Sequence, residues 1–214
     1  LFMQTWEDFQ FSLLGQNGLT EIKNAGDAEI TGIEMDVTYQ ATEALGFTAG
    51  VAYLNSELTE NFCGVIDERG NPQTGNTCYW PGEDEDGNPI VIERLPLAPK
   101  GTQLPVTPEF KANATARYEF PLAGFESWVQ GSVVYASERE ADLRIREVPT
   151  YDLITPYVPI RGILGTLPSY TTADLSFGIG KDNWRVELYG TNIFDDQAEV
   201  GRYAQCLEEV CADQ

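Results

Sequence analysis

Hydrophobic and polar residues alternate one by one along several stretches of this chain, and that period of two restricts the possible folds more than any other feature. Side chains on an extended strand point to opposite faces in turn, so strict alternation describes a sheet with one apolar and one polar face. Over 110–120, Phe110, Ala112, Ala114, Ala116, Tyr118 and Phe120 share one face, and Lys111, Asn113, Thr115, Arg117 and Glu119 the other. Over 32–41, Ile33, Met35, Val37, Tyr39 and Ala41 oppose Gly32, Glu34, Asp36, Thr38 and Gln40. The stretch 170–180 sets Thr171, Ala173, Leu175, Phe177 and Ile179 against Thr172, Asp174, Ser176 and Gly178. Over 46–55 the apolar face carries Phe47, Ala49, Val51 and Tyr53. The pattern predicts further strands over 127–136 and 184–194, and one over 1–14 with a phase change near Glu7 and Asp8.

The connections divide by length. Residues 42–45, 122–126 and 181–183 are short turns, whereas 60–104 and 137–169 are long, irregular and rich in Pro, Gly and charge, with 15–28 a shorter excursion on that same side. Up-and-down strands so connected have short turns at one end and long loops at the other. A soluble sandwich also alternates, because one face of each sheet is wet, but it has no reason to gather its long loops at one end. Strands of about ten residues, aromatics such as Tyr39, Tyr53, Tyr118 and Phe120 near strand ends, and asymmetric loops describe a membrane barrel. The expected fold is all-β, with about seven antiparallel up-and-down strands of a transmembrane β-barrel; that they are a portion of a larger barrel is what the family resemblance given below implies. No stretch reaches the ~20 apolar residues of a membrane helix, but a spanning strand needs only ~9–11 residues.

Aspartate and glutamate total 34 against 13 lysines and arginines, a net charge of -21. That balance opposes nucleic acid as a partner and docking on an anionic leaflet. Histidine is absent, which removes histidine-based catalytic triads and the usual histidine ligands of zinc and haem. No GxSxG, phosphate-loop or dinucleotide motif occurs, so an enzyme is not expected, nor a cofactor, a catalytic residue or a metal site. The run from Gly82 to Gly87 places Asp84, Asp86 and Glu93 on carboxylate positions of a calcium loop and Gly87 on its glycine, but Gly82 stands where the first carboxylate belongs. The run reads as a solvated acidic loop. The cysteines form two local pairs, Cys63 with Cys78 and Cys206 with Cys211, in polar, turn-rich stretches. This predicts two disulfides and an oxidising compartment. Ligand-binding candidates are the aromatics and arginines of the long loops: Tyr79, Trp80, Arg139, Arg144, Arg146, Tyr151, Tyr157 and Tyr203. Aromatic faces suit a sugar or aromatic ligand, and guanidiniums suit carboxylates or phosphates.

Four segments in order carry a family resemblance: Trp6-Glu7-Asp8-Phe9-Gln10, the stretch from Asn24-Ala25-Gly26 through Ile30-Thr31-Gly32-Ile33-Glu34, Leu104-Pro105-Val106-Thr107-Pro108, and Asn192-Ile193-Phe194-Asp195. Together they resemble the C-terminal barrel of TonB-dependent outer-membrane receptors. The family barrel has about 22 strands and a plugged lumen. The resemblance therefore implies that 1–214 is a partial barrel domain, with the plug domain, the earlier strands and the last strand absent. It implies an active-transport receptor in the bacterial outer membrane, energised through TonB, for a scarce nutrient such as a ferric siderophore, an oligosaccharide or a cobalamin. Outer-membrane lipid, the TonB complex acting through the plug, and a small-molecule ligand are the implied partners. Lys111, Arg117, Arg185, Glu34, Glu119 and Glu187 would face the lumen and pair with one another or touch the plug. The rival readings are a passive porin or structural barrel, and a secreted acidic β-sandwich adhesin.

Overall fold

The computed structural model describes residues 1–14, 20–63, 78–94, 96–143, 145–149, 157–161 and 164–202. Its strands in chain order are β1 (Phe2–Trp6), β2 (Gln10–Leu14), β3 (Thr20–Asn24), β4 (Ala28–Gln40), β5 (Leu45–Leu58), β6 (Cys78–Glu83), β7 (Pro89–Arg94), β8 (Phe110–Leu122), β9 (Phe125–Ala136), β10 (Arg139–Glu140), β11 (Ile145–Pro149), β12 (Tyr157–Arg161), β13 (Thr166–Leu167), β14 (Tyr170–Lys181) and β15 (Trp184–Gly190). One antiparallel sheet of seven strands, in the order β1-β4-β5-β8-β9-β14-β15, takes up the alternating segments. The all-β fold and the seven up-and-down strands expected from the sequence are present.

The register shows why the alternation exists. Directly paired residues share a face, so Val37, Ala49, Ala114, Val133 and Ala173 form one row across β4, β5, β8, β9 and β14. The rows around it continue the same face with Met35, Val51, Ala112 and Tyr135 on one side, and Tyr39, Phe47, Ala116 and Leu175 on the other. From Ile33 on β4 across to Val186 and Leu188 on β15, this outward band carries no charge until Lys181 at the short-turn rim. The opposite face carries Glu34, Asp36, Lys111, Asn113, Arg117, Glu119, Asp174, Arg185 and Glu187. All six charged residues expected to share the inward face do so.

Three sequence readings need correction. The segment 1–14 is not one strand: the chain leaves the sheet at Asp8, whose φ is 53 and whose N–H donates to Asp27 Oδ1 at 3.1 Å. Aspartate tolerates this left-handed conformation, and beyond it β2 pairs with β3 as a separate hairpin. The long connections are not irregular throughout, because β6 pairs with β7, β11 with β12 and β10 with β13 inside them. The last strand stops at Gly190 rather than Phe194. There Asn192 adopts φ 46, its N–H bonds to Asp174 Oδ1 at 2.8 Å, and Ile193 N–H bonds to the Ala173 carbonyl at 2.8 Å.

The buried apolar cluster sits at the long-loop end. Ala25, Ala28, Leu58, Phe62, Ala98, Leu104 and Leu143 form it, with Phe9, Phe11, Ile30 and Leu97 packed against it. Backbone bonds from Leu58 N–H to the Thr102 carbonyl and from Leu104 N–H to the Ser56 carbonyl fasten the connection before β8 to the end of β5. The expected disulfide Cys63–Cys78 closes this region, with both cysteines fully buried. Cys206 and Cys211 lie outside the described residues.

Candidate functional site

The described ligand-binding candidates fall at the long-loop end, on different elements. Tyr79, half exposed, and Trp80 lie on β6; Arg146 lies on β11 and Tyr157 on β12. Arg144, Tyr151 and Tyr203 lie outside the described residues. Arg139, on β10, is 5% exposed and built into the fold. Its guanidinium donates to the Glu199 carbonyl at 2.8 Å and to the Ser137 carbonyl at 3.4 Å, and it lies over the Tyr170 ring at 5.5 Å. Glu199 in turn receives two bonds from Arg202, at 2.6 and 2.8 Å, and Arg202 donates to the Leu164 carbonyl at 2.9 Å. The Arg202 hydrogen bonds hold the Glu199 carboxyl below the usual glutamate range. These contacts tie the segment after β15 to the base of the loop between β9 and β14. Beside them a concavity of about 500 Å³ is lined by Glu109, Glu138, Arg139, Glu140, Tyr135 and Thr166, among others.

The acidic run forms the tight turn between β6 and β7. Asp84 Oδ1 accepts from the backbone N–H groups of Asp86 at 2.9 Å and Asn88 at 2.8 Å, and Oδ2 accepts from the Asn88 side-chain amide at 3.0 Å. The Asn88 side chain, then these backbone donors, hold the Asp84 carboxyl below the ordinary aspartate value. Among the described residues no group of three or more His, Cys, Asp or Glu is placed to hold a metal ion.

The inward face carries a second arrangement, at the short-turn end. Trp128 on β9 is paired in register with Gly178 on β14. Its indole lies over that glycine so closely that an added Cβ would come within 2.0 Å of the ring. An aromatic laid over a cross-strand glycine restores the packing that the missing side chain forfeits. The guanidiniums of Arg117 and Arg185 lie over the same ring, 4.7 and 4.9 Å from its centroid. Arg117 also pairs with Glu119 at 2.9 Å and donates to Gln130 at 3.4 Å. The cluster borders a concavity of about 660 Å³. Parity alone places Arg117 and Arg185 on this face; their meeting on Trp128 needs the register. The available signal was Trp128 itself, a large aromatic at a polar-face position.

On the outward face of the same end, Phe125 packs edge-on against Trp184 at 5.6 Å, Tyr118 stacks on Phe120 at 5.5 Å, and the Lys181 ammonium lies 5.5 Å from the Phe125 ring. This is the aromatic and cationic rim expected where a barrel meets lipid headgroups.

A family profile described as TonB dependent receptor-like, beta-barrel matches residues 1–193. Comparison with curated proteins gave no match.

Proposed function

The chain belongs to the TonB-dependent receptor β-barrel family, a family of outer-membrane, TonB-linked transport, and from that premise we propose that it forms the C-terminal sector of a receptor that captures a ferric siderophore or a similarly scarce nutrient. The observation that carries the reading is the outward face: seven strands with a band free of charge on one side, a polar inward side, and long loops gathered at one end. In this reading residues 1–214 are part of a barrel whose other strands and plug lie elsewhere in the protein. The support is the open edges of β1 and β15, each with one partner among the described residues. Backbone groups unpaired in lipid cost several kcal/mol each, so a spanning sheet has to close. The loop aromatics and arginines, Tyr79, Trp80, Arg146 and Tyr157 among them, are the proposed capture surface.

The test is uptake by cells carrying the full-length gene. Radiolabelled ferric siderophore should accumulate only with the receptor present, and accumulation should vanish when TonB is deleted. Accumulation that survives loss of TonB would support the passive-porin alternative. Binding that persists for an oligosaccharide or a cobalamin, but not for any ferric chelate, would reassign the ligand and leave the transport reading in place.

A further inference from the structure

The segment 191–202, which follows β15, is fastened to its neighbours without being a strand. Ile193 N–H bonds to the Ala173 carbonyl at 2.8 Å, and the Asp196 carboxylate accepts from the Thr171 N–H at 2.7 Å. Asn192 and Asp196 brace one another: the Asn192 side-chain amide donates to the Asp196 carbonyl at 3.0 Å, and its Oδ1 accepts from the Asp196 N–H at 3.2 Å. The segment then reaches the neck of the loop between β9 and β14. That neck is a ladder of two pairs, Arg139 with Leu167 and Glu140 with Thr166. So short a ladder holds little by itself, since even a longer two-stranded hairpin is marginal alone.

Two arginines cross this junction in opposite directions. Arg139, at the entry of the loop, reaches 60 residues along the chain to the Glu199 carbonyl. Arg202 reaches back 38 residues to the carbonyl of Leu164, at the exit of the same loop. Arg202 also grips the Glu199 carboxylate through Nε and an Nη, a forked, charge-assisted pair. Gly165 leaves room for that guanidinium: its φ is 73, and a Cβ there would come 3.1 Å from the Arg202 Nη1. The Gly165 carbonyl accepts from Ala141 N–H at 3.1 Å, which closes the neck. Arg139 is buried, and its ladder partner Leu167 is fully so. Apolar packing often replaces a buried charge without loss of stability, so a buried arginine is better explained by the geometry it fixes.

We infer that Arg139, Glu199 and Arg202 are positioning residues that clasp the neck of the β9–β14 loop to the segment after β15, so that the β11–β12 hairpin beyond the neck and that segment move as one body. Each arginine starts on one partner and ends on the other, and the two acceptors flank the same short ladder. Loss of either arm therefore releases both partners, including a hairpin that belongs to neither Glu199 nor Arg202 in the chain. Arg146 and Tyr157 lie on that hairpin. The value of the clasp for ligand capture rests on the reading proposed above, whereas the clasp itself does not.

The experiment follows amide hydrogen exchange by mass spectrometry in the full-length protein folded in detergent. Arg202→Gln, placed outside the loop, should speed exchange in β11 and β12 about tenfold, as well as in its own segment, while β8 and β9 are unchanged. Arg139→Gln, placed at the loop entry, should speed exchange over 192–202 by a similar factor. The double variant should exceed the faster single variant by less than the product of the two effects, because one clasp opens only once. Arg202→Lys, which keeps the charge but loses the fork, should fall between Arg202→Gln and the parent. If the buried Arg139→Gln fails to fold, Arg202→Gln and Arg202→Lys carry the test at a part-exposed position. Acceleration confined to the segment that holds the substitution, or effects that multiply in the double variant, would overturn the clasp. Uptake that fails for every nutrient tried, while hairpin and segment loosen together, would overturn the capture reading and uphold the clasp.

Discussion

An arginine placed at position 37 tests the facing of the whole sheet. Val37 lies in the outward row Val37–Ala49–Ala114–Val133–Ala173. On β5, Ala49 sits midway between Leu45 and Tyr53, the limits of the uncharged band on that strand. A rise of ~3.4 Å per residue puts each limit ~14 Å away along the strand. At a tilt of ~45° that is ~10 Å in depth. An arginine reaches about 6–7 Å, so snorkelling shortens the gap but does not close it. The expected cost of Val37→Arg is therefore in the range for a midplane arginine on a barrel, about 2–4 kcal/mol, toward its lower end. Thr38→Arg, one residue on, enters the inward row of Thr48, Thr115, Ser132 and Asp174, with Asp36 and Gln40 along its own strand. A polar, acid-lined inward face accepts it at a cost of ~0.5 kcal/mol or less.

The assay is a urea titration of the full-length protein folding into lipid vesicles, scored by heat-modifiable gel mobility. The two variants should differ by about 2 kcal/mol, roughly thirtyfold in the folding equilibrium. Equal losses, or a larger loss for Thr38→Arg, would refute the assignment of faces and with it the membrane reading of the apolar band.

Gly178→Ala should drive the Trp128 ring off its strand, since the new Cβ would come 2.0 Å from the indole; the expected loss is about 1–3 kcal/mol, shrinking in a Trp128→Ala background because the clash is then absent. Replacing Cys63 and Cys78 by serine should cost about 3 kcal/mol on the chain-entropy account of a loop this long, and should loosen the Phe62 cluster in hydrogen exchange while sparing β8 and β9. Non-reducing peptide mapping should find Cys63–Cys78 together with the proposed Cys206–Cys211 bridge; cross-pairing between the two would contradict both. The Asp84 carboxyl has a lowered folded value, so its contribution to the β6–β7 turn is complete above the unfolded-state value of about 3.9 and is lost as pH falls through the lower folded value. Amide exchange at Asp86 and Asn88, corrected for intrinsic rate, should be flat between pH 7 and ~5 and accelerate below ~4; acceleration near neutrality would show that another group holds the turn.

The sheet was legible because burial on one face writes itself directly into the sequence as a period of two. Phe110–Leu122 and Tyr170–Lys181 needed nothing more. The hairpins inside the loops were not legible, since β6 reads CYWPGE and β11 and β12 each contain a proline. Proline and glycine argue against strands wherever a ladder hydrogen bond is needed on both sides, but a two-stranded hairpin leaves one side of each strand unpaired. The sequence misplaces the end of β15 because Phe194 keeps the parity of Trp184, Val186 and Leu188, although Asn192 bends the backbone before it. Periodicity reports which way a side chain points, not what lies beside it. The charged inward residues were therefore identified while the junction of Arg117, Trp128, Gly178 and Arg185 was not. Arg139 shows the complementary limit: an arginine in a loop rich in charge suggests solvent, and only the fold shows it bridging Ser137 to Glu199.

The position of the core leads to a last expectation. A soluble domain of this size would cover the apolar side of its sheet with a second layer, yet the buried cluster lies at the long-loop end, and Ile33, Met35, Val37 and Tyr39 remain exposed. Nothing among the described residues covers that face. The sheet also ends in β1 and β15, each offering an unpaired row of backbone groups. In water, an apolar face joined to two open edges is a template for strand addition by another copy. In a micelle, the same edges leave backbone groups in hydrocarbon at several kcal/mol each. Residues 1–214 expressed alone should therefore associate in aqueous buffer and should not close into a barrel in detergent, whereas the full-length protein should do so. Analytical ultracentrifugation with and without detergent, joined to denaturant unfolding, measures both. A monodisperse monomer that unfolds cooperatively in detergent-free buffer would be incompatible with a sheet left open at both edges. It would require the apolar band to be covered in some other way, as a β-sandwich covers it.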